Sequence, residues 1–242
     1  MKKIRQKVFD SILNVVYPQK CMFCKNNIAE NSQDHACGDC IAALPYTKNG
    51  GCFETFDKET YLISPLLYEG NVRRAVRDLK FKSKFENAQF LAMLMCGYLS
   101  ENKQALGADV IVSVPLSKKS LLRRGFNQTE LIASKIAAAL GIRFDSDALI
   151  KVRETKRQSS LTTFAERAKN VLGAYRCVRD LSEKTVILVD DVYTSGMTIY
   201  NCARELKQCG AKKVIAITCA NAHVQKGYSV HDYKASRLVF KG

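Results

Sequence analysis

The sequence predicts an α/β fold, a mostly parallel sheet flanked by helices, with a small cysteine-rich module ahead of it. Three observations carry this. Asp109 to Val114, Thr185 to Val189 and Val214 to Thr218 are short β-branched runs that read as buried parallel strands. Amphipathic stretches follow the first two, from about Asn127 to Leu140 and from about Thr198 to Cys209, stopped by Gly141 and Gly210. Such an order of strands, loops and helices implies right-handed crossovers, with ligands beyond the carboxyl ends of the strands. Third, the stretch from Cys21 to Gly51 is rich in Cys, Asn, Gly and Asp and too polar to form a core unaided.

A chain of 242 residues accommodates one sizeable core and a small appended module, with the division expected between residues 1–60 and 61–242. No apolar run approaches the roughly 20 residues that span a bilayer. The formal net charge of +15 is unevenly spread: residues 1–60 carry 8 basic and 7 acidic side chains, which leaves +14 for the rest. The excess gathers in three clusters, Arg73 to Lys84, Lys118 to Arg124 and Lys151 to Arg157, and suits a phosphorylated ligand or a polyanion.

At the amino terminus Ile4, Val8, Phe9, Ile12, Leu13 and Val16 recur at helical spacing, and Asp10 and Asn14 interrupt any export-signal core. A helix docked on its own domain is expected, in preference to a membrane-surface anchor. Ten cysteines without an export signal point to metal ligands and buried thiols in a reducing cytoplasm. Cys21-x-x-Cys24 and Cys37-x-x-Cys40, twelve residues apart, supply the four thiolates of a tetrahedral site, so a closed, structural Zn²⁺ ribbon is expected. His35, two residues before Cys37, could replace a ligand, though a surface histidine is the plainer reading; Cys52 lacks a partner pair for a second site. Cys96, Cys177, Cys202, Cys209 and Cys219 read as small buried hydrophobes.

The strand Val186-Ile187-Leu188-Val189 leads into Asp190-Asp191, then Val192, Tyr193, Thr194, Ser195, Gly196, Met197 and Thr198. A Thr-Ser-Gly-x-Thr loop opening a helix offers a phosphate N–H groups, hydroxyls and the positive helix end, and its glycine lets the backbone come close. Carboxylates at a strand end accept hydrogen bonds from a vicinal diol. A polar turn with an ordinary hydroxyl cap is the bland alternative.

Four apolar residues, two adjacent acids, two variable residues and Thr-Ser-Gly-x-Thr resemble the binding motif for 5-phosphoribosyl 1-diphosphate (PRPP) of type I phosphoribosyltransferases. The resemblance implies that Asp190 and Asp191 hold the ribose hydroxyls as the catalytic acids, and that Thr194 to Thr198 wrap the 5'-phosphate of PRPP or ribose 5-phosphate. It also places a diphosphate-binding loop after the strand ending at Pro115, where Ser117 and Lys118 are the candidates.

Further blocks narrow the resemblance. Pro18-x-x-Cys21, Tyr68-Glu69-Gly70, Lys80-Phe81-Lys82, Val114-Pro115-Leu116, the run Arg123 to Gln128, the run Arg153 to Gln158, and Ala165-Glu166-Arg167 with Asn170 follow in order. Together they look like the ComF family of competence-associated proteins over nearly the whole chain. By position, Arg153, Lys156, Arg157 and Gln158 match the flexible loop that closes over the diphosphate, and Mg²⁺ would accompany PRPP. The resemblance implies phosphoribosyl transfer to a nitrogen acceptor that no segment identifies. The competing reading is a non-catalytic accessory of the competence machinery that binds single-stranded DNA and uses the fold as a scaffold or PRPP sensor, with Phe81, Phe85 and Phe126 among the basic clusters as stacking candidates.

Overall fold

The computed structural model describes residues 19–28, 35–47, 53–54, 59–102, 105, 107–155 and 169–222. The expected amino-terminal helix, Cys52, Lys156, Arg157 and Gln158 lie outside them. In chain order the first half contains α1 (Gly38–Ala42), β1 (Phe53–Glu54), β2 (Thr60–Ile63), β3 (Leu66–Leu67), α2 (Gly70–Lys82), α3 (Glu86–Glu101) and β4 (Val110–Ser113). The second contains α4 (Lys118–Arg124), α5 (Gln128–Leu140), β5 (Arg143–Phe144), β6 (Leu149–Lys151), β7 (Tyr175–Cys177), β8 (Thr185–Tyr193), α6 (Met197–Gln208) and β9 (Lys213–Asn221).

The main sheet has the order β1-β2-β9-β8-β4-β5, with β3 also paired to β9, and every pairing except β1 with β2 is parallel. The central strands are apolar on both faces because helices cover both. Ile187, Val189, Ile215 and Ile217 face one side, where they join Leu79 of α2, Phe90 and Met95 of α3, and Ile132 and Ile136 of α5. Val186, Leu188, Val214 and Ala216 face the other, against Ile199, Cys202 and Leu206 of α6 and Tyr175 of β7. The two-residue period of a strand thus divides one sheet between two cores, and each fully buried aliphatic side chain contributes about 1.5–3 kcal/mol.

The helix boundaries expected near α5 and α6 are met within a residue. Asn127 Oδ1 accepts from Thr129 N at 3.1 Å to cap α5, and Gly141 ends it at φ 66°. Two strands run further than their apolar cores suggest. β8 continues through both acids to Tyr193 because β9 stays beside it, pairing Asp190 with Thr218, Val192 with Ala220 and Tyr193 with Asn221. That backbone pairing outweighs the poor strand propensity of aspartate. Lys118 opens helix α4 where the sequence suggests only a loop, because Ser117 Oγ caps it by accepting from Ser120 N at 3.3 Å. A separate antiparallel hairpin, β6 with β7, packs Leu149 and Tyr175 into the α6-side core.

The cysteine module packs on the same body. Phe23 lies edge-on to Phe90 of α3, with ring centroids 5.4 Å apart, and Cys21, Ala36 and Leu44 are buried in the α3-side core. No helix among the described residues is long and apolar enough to cross a membrane.

Candidate functional site

The carboxyl end of β8 lies between β4 and β9, and the chain turns there through Thr194 and Ser195 into α6. Gly196 is the N-cap, at φ 75°, and a Cβ on it would stand 2.5 Å from the Tyr193 hydroxyl oxygen. Only glycine allows both that φ and that approach. Because glycine supplies no capping side chain, the first turn of α6 presents its positive end beside the two acids. Tyr175 approaches from the hairpin, where burial pushes its phenol well up and the Thr198 side chain works against that shift.

The acids themselves have different surroundings. Asp191 is buried and receives two donors from the α2 and α5 side: Lys80 Nζ at 2.8 Å and Gln128 Nε2 at 2.6 Å. Gln128 in turn accepts from Arg124 Nη1 at 2.8 Å, and the Arg124 guanidinium lies over the Phe81 ring, 5.2 Å from its centroid. Burial works against the Lys80 charge, but the Asp191 carboxylate outweighs it and holds the ammonium above its ordinary value. Asp190 accepts from the Asp191 N–H at 2.8 Å. Burial, and then the Asp191 charge, push its carboxyl up to about 7, while that N–H, Lys80 and Lys151 pull it back. Lys151 sits on β6 with Nζ 2.8 Å from Thr155 Oγ1 and 5.3 Å from the Tyr175 ring centroid, and burial lowers its pKa.

Ser117 and the root of the basic loop are joined. Glu154 accepts from the Lys119 N–H at 3.3 Å, and a hydrogen bond from Ser117 is the main cause that keeps the Glu154 carboxyl below its ordinary value. Arg153 does not reach the acids: its Nη2 donates to Asn170 O at 3.0 Å and Leu172 O at 2.7 Å. Sequence reasoning assigned no role to Lys80, Gln128, Arg124 or Lys151. The first three lie within the ordered blocks, and the four-residue spacing of Arg124 and Gln128 places them on one helical face.

The four-cysteine cluster forms a second centre. The sulfurs of Cys21, Cys24, Cys37 and Cys40 all lie within 4.8 Å of one another, with Cys24 and Cys37 at 3.7 Å. A tetrahedral site with Zn–S near 2.3 Å requires S–S separations of about 3.8 Å, so the donor set fits a metal ion of zinc type. Burial works to raise the Cys21 thiol, yet the N–H groups of Cys37, Cys24 and Phe23 hold it at about 6; burial and the neighbouring thiols push Cys40 up to about 12. His35 takes a left-handed backbone, φ 48°, and its carbonyl accepts from Met22 N; it is not among the clustered ligand atoms.

Several known proteins resemble this chain. The model of the phosphoribosyl transferase domain family matches residues 122–239. The DNA utilization protein YhgH of Salmonella typhimurium is 33% identical over 176 residues, 72% of this chain and 77% of that one. Competence protein F of Haemophilus influenzae is 25% identical, covering 81% of this chain and 93% of its own length. Among solved structures, glutamine PRPP amidotransferase from B. subtilis shares 21% identity, with 67% of this chain and 38% of that one covered at a TM-score of 0.43. On these matches the chain belongs to the ComF family of proteins built on the type I phosphoribosyltransferase fold.

Proposed function

We propose that this chain binds PRPP at the carboxyl end of β8 and transfers its phosphoribosyl group to a nitrogen acceptor, in the service of competence and DNA uptake. One observation carries the reading. Asp190 and the glycine-capped start of α6 stand at the same sheet edge, a diol acceptor beside a phosphate cradle, flanked by half-buried Lys151. Thr194 to Thr198 would take the 5'-phosphate and Asp190 the ribose hydroxyls. Ser117 and Lys118 would take the leaving diphosphate, and the basic run Arg153 to Gln158 would close over it. The names of the relatives, DNA utilization protein and competence protein F, support the cellular role. Mg²⁺ would accompany PRPP and supply charge neutralisation to the leaving diphosphate. Zn²⁺ would occupy the four cysteines as a structural cross-link.

Calorimetric titration of PRPP with Mg²⁺ tests the binding. Wild type should bind, and Asp190→Asn should weaken binding by about tenfold or more, at least 1.4 kcal/mol. Absence of binding by wild type would remove the proposal. Diphosphate release in the presence of a panel of nitrogenous bases then tests transfer; release that depends on one base identifies the acceptor.

A second reading, binding of single-stranded DNA, is favoured by a surface. Phe81 and Phe85 are 59% and 49% exposed, Arg124 covers the Phe81 ring, and Phe85 meets Phe126 edge-on at 4.9 Å, among Lys82 and Lys84. Aromatic faces set among cations suit unpaired bases and their phosphates. Fluorescence anisotropy with a labelled oligonucleotide should show affinity falling steeply with salt, and Phe81→Ala should cost about 1–3 kcal/mol. A flat salt response argues against this surface.

A further inference from the structure

Adjacent residues in a strand point to opposite faces of a sheet. The contacts of the two acids follow that rule. Asp191 meets Lys80 of α2 and Gln128 of α5, and both of its carboxylate oxygens are taken, Oδ1 by the ammonium and Oδ2 by the amide. Lys80 and Asp191 are largely buried, with side-chain exposures of 19% and 9%. A buried pair of this kind is difficult to open, because removing either partner leaves an uncompensated charge. Asp190 makes no such pair among the described residues. It accepts from the Asp191 N–H, feels the Lys80 charge from that side, and is electrostatically coupled to Lys151 of the hairpin, Tyr175 of β7 and Cys202 of α6 on the face where α6 begins.

We propose that Lys80 and Gln128 are positioning residues that clamp Asp191 into the frame of the fold, leaving Asp190 as the acid of the pair that meets the ribose diol. The clamp ties α2 and α5 to the end of β8, across 111 and 63 residues of sequence. It also fixes a positive charge beside the Asp pair. The diol half of the inference rests on the PRPP reading above; the clamp itself does not.

The charged and titratable groups around Asp190 are Asp191 on its own strand, Lys80 from α2, Lys151 from β6, Tyr175 from β7, Cys202 from α6 and Cys219 from β9. Lys80 interacts with both acids. Without its charge, Asp190 would have to ionise beside an uncompensated Asp191, so its titration should move to higher pH.

The test uses the full chain. The Asp190 carboxyl is titrated by NMR in ligand-free protein, and PRPP is titrated with Mg²⁺ around neutrality, for wild type, Lys80→Gln, Lys80→Arg, Asp190→Asn and Asp191→Asn. Lys80→Gln should raise the Asp190 midpoint by about one pH unit, and the PRPP pH profile should move with it. Lys80→Arg should restore both. Asp191→Asn, which removes the like charge, should lower the Asp190 midpoint, and its Tm set against that of Asp190→Asn decides the clamp even where Lys80→Gln fails to fold. It should also lower Tm more than Asp190→Asn does and weaken PRPP less. Unmoved midpoints would overturn the clamp, since a purely structural lysine lowers Tm without shifting a titration. Equal loss of PRPP affinity in the two Asn variants, at equal Tm, would overturn the division between the acids. A wild type that binds no PRPP ends the diol assignment together with the proposed function, while the ligand-free titration still decides the clamp.

Discussion

Loading with Zn²⁺ followed by chelation, or Cys37→Ser, is expected to lower Tm by about 10 °C or more, given that structural zinc supplies on the order of 10 kcal/mol to the module it folds. The segment is too polar to hold itself, and Cys37 both caps α1 and directs its N–H at Cys21 Sγ, 3.4 Å away. The damage should not stay local. Phe23 and Leu44 are part of the core that includes Phe90, Leu91 and Met95 of α3, so release of the module exposes α3. Differential scanning fluorimetry, with metal content by atomic emission, reads both parts. A protein that carries no zinc, or one whose Tm is indifferent to chelation, would remove the metal from this fold.

The second large effect is expected at Gly196. In Gly196→Ala the new methyl would meet Tyr193 at 2.5 Å from its hydroxyl oxygen and 3.0 Å from the adjoining ring carbon, and Tyr193 is only 1% exposed, with little room to withdraw. The left-handed backbone costs an alanine about 1–2 kcal/mol, and overpacking typically adds about 1–3 kcal/mol. Tm should fall by about 5 °C or more, and PRPP affinity by about tenfold or more, as the start of α6 shifts. Tyr193→Phe in the same chain should recover part of the Tm loss by removing the closest atom. No recovery would assign the cost to backbone strain alone.

These expectations differ in how far the sequence announces them. The parallel sheet is legible because β-branched runs, amphipathic helices and glycine stops all agree, and Gly141 and Asn127 mark α5 within a residue. The cysteine cluster is legible from spacing, since each Cys-x-x-Cys pair brings two thiols together locally. The extension of β8 to Tyr193 is not, because it depends on β9, which lies more than twenty residues further along. The clamp on Asp191 is less legible still. Its three members come from α2, α5 and β8, and nothing local marks Lys80 among the other cations of its cluster. Lys151 escapes for a similar reason: its place over the Tyr175 ring arises only when β6 pairs with β7.

Arg153 has a consequence for how the chain tolerates change. Its bonds to Asn170 O and Leu172 O, with Val152 N to Ala174 O just inside, buckle together the two ends of the segment that departs from the hairpin. With the ends so joined, doubling the length of what lies between costs only about 0.6 kcal/mol. Arg153 thereby acts as a latch at the open end of the β6–β7 pair, and the frame behind that latch is closed by the described residues alone.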